Sequence, residues 1–228
     1  MKIDIIQHYG AIVVKPRVVL PSIIPKQQRV SIIFNKTKEY PTMFKISLFK
    51  EPRIYSNPLR SVKRNPHDVD KFEPTVSSLS RTKRTISDIV LCNDFDLFAT
   101  FTFDPKKNNR YDYNHCLSIM RSWLHKRKSF DKDFAYLVIP EFHKDGAIHF
   151  HALFSHFKGS MRDSHHFSPS GSPIYNITCF RSGFTTACPI RDRAGVAKYV
   201  QKYITKDFIK RYNRRRFFCS SNLRRPIC

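Results

Sequence analysis

The sequence predicts an α+β fold: an antiparallel sheet of about five strands with helices on one face, preceded by a β-rich N-terminal extension. Three observations predict it. Leu97–Phe103 (LFATFTF) sets Phe98, Thr100 and Thr102 against Leu97, Ala99, Phe101 and Phe103, the period of two that a strand requires. Leu117, Met120, Trp123 and Leu124 recur at helical spacing, as do Val196, Val200, Ile204 and Phe208. Between those patterns, residues 134–141 (FAYLVIPE) and 147–154 (AIHFHALF) flank Lys144-Asp145-Gly146, two apolar runs about a turn.

The elements follow in order. Residues 1–45 carry short β-branched runs at 12–14, 17–20 and 30–34, punctuated by Pro16, Pro21, Pro25 and Pro41. Residues 52–85 hold Pro52, Pro58, Pro66 and Pro74 and a serine cluster at 77–80, which predicts a linker or loop-rich approach. Asp104-Pro105 stops the first regular strand, and a helix is expected over 112–128. Residues 155–175 are polar and rich in Ser, His and Gly, and are expected to be a loop. Short strands are expected at 177–180 and 184–187. A helix over 193–210 follows, with Asp192 as its N-cap, and residues 214–219 supply a last strand. The order β-α-β-β-(β)-α-β suggests a sandwich of the ferredoxin- or RRM-like kind. Residues 1–80 then form a basic extension and linker, and residues 81–228 the main domain.

Charge narrows the partner. The 228 residues carry 41 Lys+Arg against 18 Asp+Glu, a formal net charge of +23. A chain this basic is expected to bind a polyanion, with nucleic acid the first choice. Residues 198–228 hold ten Lys or Arg against one acid, Asp207, and residues 1–85 hold 17 against six. Hydrophobic residues at 41% and 20 Phe supply enough apolar surface to argue against disorder. No apolar run is long enough to cross a membrane, and the N-terminus lacks the pattern of a secretory leader. Cys92, Cys116, Cys179, Cys188, Cys219 and Cys228 form no CxxC pair, so free thiols in a reducing compartment are expected. A Cys179–Cys188 disulfide stays open on proximity alone.

His149 and His151 flank Phe150 on a strand, so both imidazoles face the same way. A three-residue turn at Lys144-Asp145-Gly146, with Gly left-handed, would pair His143 with Ala147 and Glu141 with His149. Glu141 then joins the histidine face, with His143 as a reserve ligand. A two-residue turn would move Glu141 to the other face. Two imidazoles and a carboxylate suit Mn²⁺ or Mg²⁺ that polarises a phosphate oxygen. Histidines facing solvent on a half-buried strand are the alternative. His165 and His166 are expected to be solvated loop residues.

On the last helix, Lys198, Lys202, Lys206 and Lys210 form a basic stripe beside the apolar one, and Tyr199 and Tyr203 lie between. A phenol has an ordinary pKa near 10 and is a poor nucleophile at neutral pH. Nearby lysines favour the phenolate and offset phosphate charge. Attack on DNA would leave a phosphotyrosine ester that can be reversed without ATP. The alternative is ordinary packing at the border of an amphipathic helix.

The TFTF strand, PE…HKDG…HFH and YVQKYITK, in this order, resemble the HUH endonucleases. More closely they resemble two-tyrosine rolling-circle replication initiators of small phages, prophages and plasmids. The resemblance covers roughly residues 82–226. It extends to residues 216–226 (RFFCSSNLRRP), which look like the segment that follows the tyrosine helix in prophage members. It implies site-specific nicking of DNA, a 5′-phosphotyrosine intermediate, and rejoining by the second tyrosine or by strand transfer. Tyr199 is the expected first nucleophile and Tyr203 the second. Lys202 and Lys206 would support phosphate charge, with His149, His151 and Glu141 on the metal. Lys198, Lys210, Arg214, Arg215, Arg216, Arg224 and Arg225 would hold the DNA backbone. The expected partners are single-stranded or origin DNA and, since no helicase-like stretch follows, a host helicase. The expected setting is the cytoplasm of a bacterial host cell. A transposase or relaxase of the same superfamily, and a non-catalytic single-stranded-DNA or RNA binder on a similar fold, are the alternatives.

Overall fold

A computed structural model describes residues 3–8, 11–16, 30–56, 76–204 and 216–227. Its contacts divide the chain into two compact units, Met1–Val69 with Ile227–Cys228, and Asp70–Pro226.

In the first unit, β1 (Ile3–His8) pairs antiparallel with β2 (Ala11–Pro16). Strand β3 (Val30–Tyr40) pairs with β4 (Met43–Ser56) across a two-residue turn at Pro41-Thr42. The β-rich expectation for this region holds at the level of these two hairpins.

The second unit holds α1 (Val76–Cys92), β5 (Leu97–Phe103), α2 (Tyr113–Phe130), β6 (Ala135–Phe142), β7 (Ile148–Ser155), β8 (Met161–Phe167), β9 (Pro173–Ile177), β10 (Gly183–Pro189), α3 (Arg193–Tyr199) and β11 (Phe218–Cys219). A 3₁₀ turn, Val200–Tyr203, follows α3 directly. The sheet is seven-stranded, in the order β11-β6-β7-β5-β10-β9-β8, and each pair in it is antiparallel.

Strand β5 alternates strictly between buried and half-buried residues. Leu97, Ala99, Phe101 and Phe103 pack with Tyr113, Cys116, Leu117, Met120 and Leu124 of α2 on one face. The other face carries Leu137, Ile139 and Leu153 against Ile86, Ile89 and Val90 of α1 and Ala197, Val200 and Tyr203 beyond. Helices therefore cover both faces. The expected sandwich of about five strands with helices on one face is corrected to seven strands between two helical layers. The cause is β6 and β7, which bury residues on both sides and so need cover on both.

Three local expectations also change. Residues 76–85, the end of the expected linker, instead begin α1, which runs to Cys92 because Ile86, Ile89 and Val90 give one apolar stripe that the sheet covers. Residues 161–167 and 173–175, expected as loop, belong to the β8–β9 hairpin, in which backbone pairing holds the mostly exposed side chains of β8 beside a half-buried β9 that sets Ile177 in the core. The helix expected over 193–210 is α-helical only to Tyr199 before tightening into the 3₁₀ turn, and residues 205–215 lie outside the described residues.

Helix α2 starts where Asp112 accepts hydrogen bonds from the amides of Asn114 and His115, and ends with Arg127 and Lys128 in its last turn. Among the described residues Cys116, Cys179, Cys188 and Cys219 are thiols outside any disulfide, with no bond between Cys179 and Cys188. Among the described residues no helix is long and apolar enough to cross a membrane.

Candidate active site

The β6–β7 turn sets the site. Gly146 takes a left-handed φ of 87°, the His143 amide donates to the Ala147 carbonyl at 2.8 Å, and the Gly146 amide donates to the His143 carbonyl at 2.8 Å. Glu141 is thereby in register with His149, as the three-residue turn predicts. The register of β5 with β7 places Thr102 opposite His149 and Thr100 opposite His151. One face of three adjacent strands thus carries Glu141, His149, His151, Thr100 and Thr102.

The side chains interlock. His151 Nε2 lies 2.6 Å from Glu141 Oε2, and His151 Nδ1 lies 3.1 Å from Thr100 Oγ1. His149 Nδ1 lies 3.1 Å from Thr102 Oγ1, and the His143 ring stacks on His149 with centroids 4.7 Å apart. A threonine hydroxyl can donate or accept, so it can follow either tautomer of the ring it holds. Burial first, then repulsion from His143 and His151, pushes His149 below its ordinary pKa and favours the neutral ring. Sequence reasoning gave Thr100 and Thr102 no role. Their strand alternation was the available signal, but the pairing of β5 with β7 was needed to give it meaning.

The tyrosine pair arrives from the opposite direction. The Tyr203 ring stacks on His151 with centroids 3.5 Å apart, and its hydroxyl donates to the Tyr199 hydroxyl at 2.9 Å. Tyr203 is 8% exposed and Tyr199 is 44% exposed. Phe98 stands between strand and helix, 5.5 Å from the Tyr199 ring and 6.0 Å from His151 by centroid. Gln201 fixes the 3₁₀ turn by donating to Ser87 Oγ on α1 at 2.7 Å and to the Ala197 carbonyl at 2.9 Å.

The change from α to 3₁₀ matters here. At three residues per turn, positions i and i+3 eclipse. Lys202 accordingly lies over Tyr199, its Nζ 3.6 Å from the ring centroid, instead of one stripe away as a continuous α-helix would put it. Burial raises the Tyr199 pKa, but the Lys202 ammonium and the Tyr203 hydroxyl outweigh it and hold the phenol below its ordinary value. Burial pushes Tyr203 well above its ordinary value, and the bond it donates to Tyr199 adds to that. A cleft of about 450 Å³ opens beside Tyr199, lined by Phe98, Ser170, Ser172, Arg191 and Val196 among others. Asp192 sits at the N-terminus of α3 but makes no side-chain cap bond. Its carboxylate lies against Gly195, where any Cβ would overlap it.

The other expected residues divide. Lys198 is exposed on α3. Arg216 donates to Thr82 Oγ1 at 2.8 Å, Arg224 pairs with Asp94 at 3.2 Å, and Arg225 lies 4.0 Å from Cys219 Sγ. These three arginines have partners within the fold. Lys206, Lys210, Arg214 and Arg215 lie outside the described residues.

A divalent ion was expected on His149, His151 and Glu141. Among the described residues no group of three His, Cys, Asp or Glu side chains is arranged to hold a metal. The donor set nonetheless fits Mn²⁺ or Mg²⁺ in kind. Each imidazole has Nδ1 engaged by a threonine, the outer-shell bond that directs Nε2 toward an ion. The Glu141–His151 bond occupies two of the three donors and would have to open.

Imidazoles, a carboxylate, two phenols and an ammonium on one face of an antiparallel sheet make a site suited to phosphate esters. Residues 96–208, just under half of the chain, match the model of a family of replication-associated proteins, the ORF2 type. The matched segment runs from the start of β5 past the tyrosine pair, and the match supports a replication-associated role. No curated protein and no solved structure matches the chain.

Proposed function

We propose that the protein initiates rolling-circle replication by nicking DNA at an origin through tyrosine attack, and rejoins strands by the same chemistry. The observation that carries this reading is the stack of Tyr203 on His151, with the Tyr203 hydroxyl bonded to Tyr199. It brings the tyrosine pair and the His/Glu cluster into one site, and plain packing at a helix border does not require that.

Tyr199 is the first nucleophile, because it is the exposed phenol and the one whose phenolate is favoured. Its oxygen attacks the scissile phosphorus, the bond to the 3′ oxygen breaks, and the 5′ phosphate stays on the tyrosine. The phenol gives up one proton and the departing 3′ hydroxyl gains one, so the step balances. Lys202 offsets charge on the phosphate, and Tyr203 donates to the attacking oxygen. His149, His151 and Glu141 are the residues that would hold a divalent ion, which supplies polarisation of a phosphate oxygen. Phe184 of β10 is in register with Thr102, so it shares the histidine face, and it is 61% exposed. It is a platform on which an unpaired base can stack.

The test uses the full chain, Mn²⁺ and single-stranded oligonucleotides from the replicon's origin. A covalent protein–DNA adduct on a denaturing gel is expected, and Tyr199→Phe abolishes it. No adduct with any origin strand, while binding persists, would replace this reading with that of a non-catalytic binder.

A further inference from the structure

The sheet face opposite the tyrosine pair carries a feature that the nicking chemistry does not use. A groove of about 870 Å³ runs between α2 and the connections that follow β7 and β9. Helix α2 supplies two rows spaced four apart, Ser118, Ser122 and Lys126 in one and Ile119, Trp123 and Arg127 in the other. Ser160, Thr178, Arg181 and Ser182 form the opposite wall. Trp123 Nε1 donates to the Cys179 carbonyl at 3.2 Å, tying the two walls together, so the groove is preformed.

Its charge is of one sign. Lys126, Arg127 and Arg181 line it, and among the described residues no carboxylate does. Acids close by in the sequence are engaged elsewhere: Asp131 pairs with Lys158 at 2.8 Å and Asp104 with Lys107 at 3.5 Å. The Arg127 guanidinium lies over the Phe130 ring at 5.0 Å, and its buried Nε has no hydrogen-bond partner among the described residues. A positive, concave, low-dielectric wall concentrates potential inside it. Cations and hydroxyls together are the groups that contact sugar–phosphate.

We propose that this groove is a second DNA site, which holds the backbone of a single strand apart from the tyrosine site. A slot walled on both sides takes a strand within it, whereas a duplex is met by elements that project into its own grooves. A strand held here stays tethered to the protein while another part of it occupies the cleft beside Tyr199, which raises the effective concentration of the strand at that cleft.

Fluorescence anisotropy of the full chain with a long labelled oligothymidylate, without metal, tests this. The variant Lys126→Gln/Arg127→Gln/Arg181→Gln is expected to weaken binding. It should also flatten the log K against log salt slope by about 2, at roughly 0.7 per phosphate contact on a single strand. Lys126→Gln alone, a change at an exposed side chain, should flatten it by about 0.7. An iodouracil-substituted strand should photo-cross-link to the peptide bearing Trp123 in the wild type and in Tyr199→Phe, but not in the triple variant. The Tyr199→Phe arm makes the result independent of nicking. An unchanged slope in both variants, or cross-links that avoid α2, would overturn the proposal. Stronger, groove-dependent binding of oligouridylate than of oligothymidylate would also overturn it, in favour of RNA.

Discussion

Tyr203→Phe removes a single atom, and the geometry says what that atom does. The ring stays stacked on His151, so packing is preserved, and the lost hydrogen bond is worth about 0.5–1.5 kcal/mol of stability. The effect on reaction is larger. As Tyr199 becomes a phenolate, the 2.9 Å bond from Tyr203 becomes charge-assisted, worth about 1.5–3 kcal/mol. Adduct formation should therefore slow by about tenfold to 150-fold without being abolished. The pH dependence has a definite sign. The donated bond lowers the Tyr199 pKa, so its removal should move the rise in rate to higher pH. The assay is single-turnover adduct formation with an origin strand and Mn²⁺ across a pH series. Complete loss in Tyr203→Phe would make Tyr203 the first nucleophile. An unchanged rate and pH profile would show that the bond plays no part in attack.

The remaining predictions concern the frame of the site. Thr100→Val and Thr102→Val keep strand shape but take away the partner of an imidazole Nδ1. Each should weaken Mn²⁺ binding about 10–100-fold by calorimetry, with Ser in either place restoring it. Nitrogen NMR of the metal-free protein should show the matching change in tautomer, and unaltered spectra in both Val variants would refute the role. Phe184→Ala should cost about 1–3 kcal/mol in single-strand affinity with no change in melting temperature; equal affinity would remove Phe184 as a stacking platform. A Cβ at Gly183 would overlap the Thr102 carbonyl oxygen and lie 2.8 Å from the Asp104 amide nitrogen, so β10 can pair with β5 here only through glycine. Gly183→Ala should cost about 1–3 kcal/mol, seen as a lower melting temperature, and an unshifted melt would contradict this packing.

Much of the histidine side of the site was legible in one dimension. Alternation on 148–155 set both imidazoles on one face, and a left-handed glycine at 146 fixed the hairpin register that adds Glu141. Both signals are local, with the information contained within about fifteen residues of chain. Helix α1 was obscured because its serines and prolines upstream resemble a linker, and its apolar stripe has meaning only against the sheet. The β8–β9 hairpin was obscured because β8 is polar and mostly exposed, and β9 shows its buried side only once Tyr175 and Ile177 meet the core.

By itself the sequence determined the antiparallel α+β character, the shared face of Glu141, His149 and His151, and the excess of positive charge. Each follows from residue period, turn chemistry or counting. Tertiary structure alone decided that helices cover both faces, that Thr100 and Thr102 hold the imidazoles, and that Lys202 lies over Tyr199 and not beside it. It also separated two phenols that look equivalent in the sequence: one is buried on His151 and donates a hydrogen bond, the other is exposed and receives it. The physical reason is that burial and hydrogen-bond direction depend on neighbours distant in the chain. Tyr203 and His151, 52 positions apart, meet only once the sheet and the 3₁₀ turn have formed.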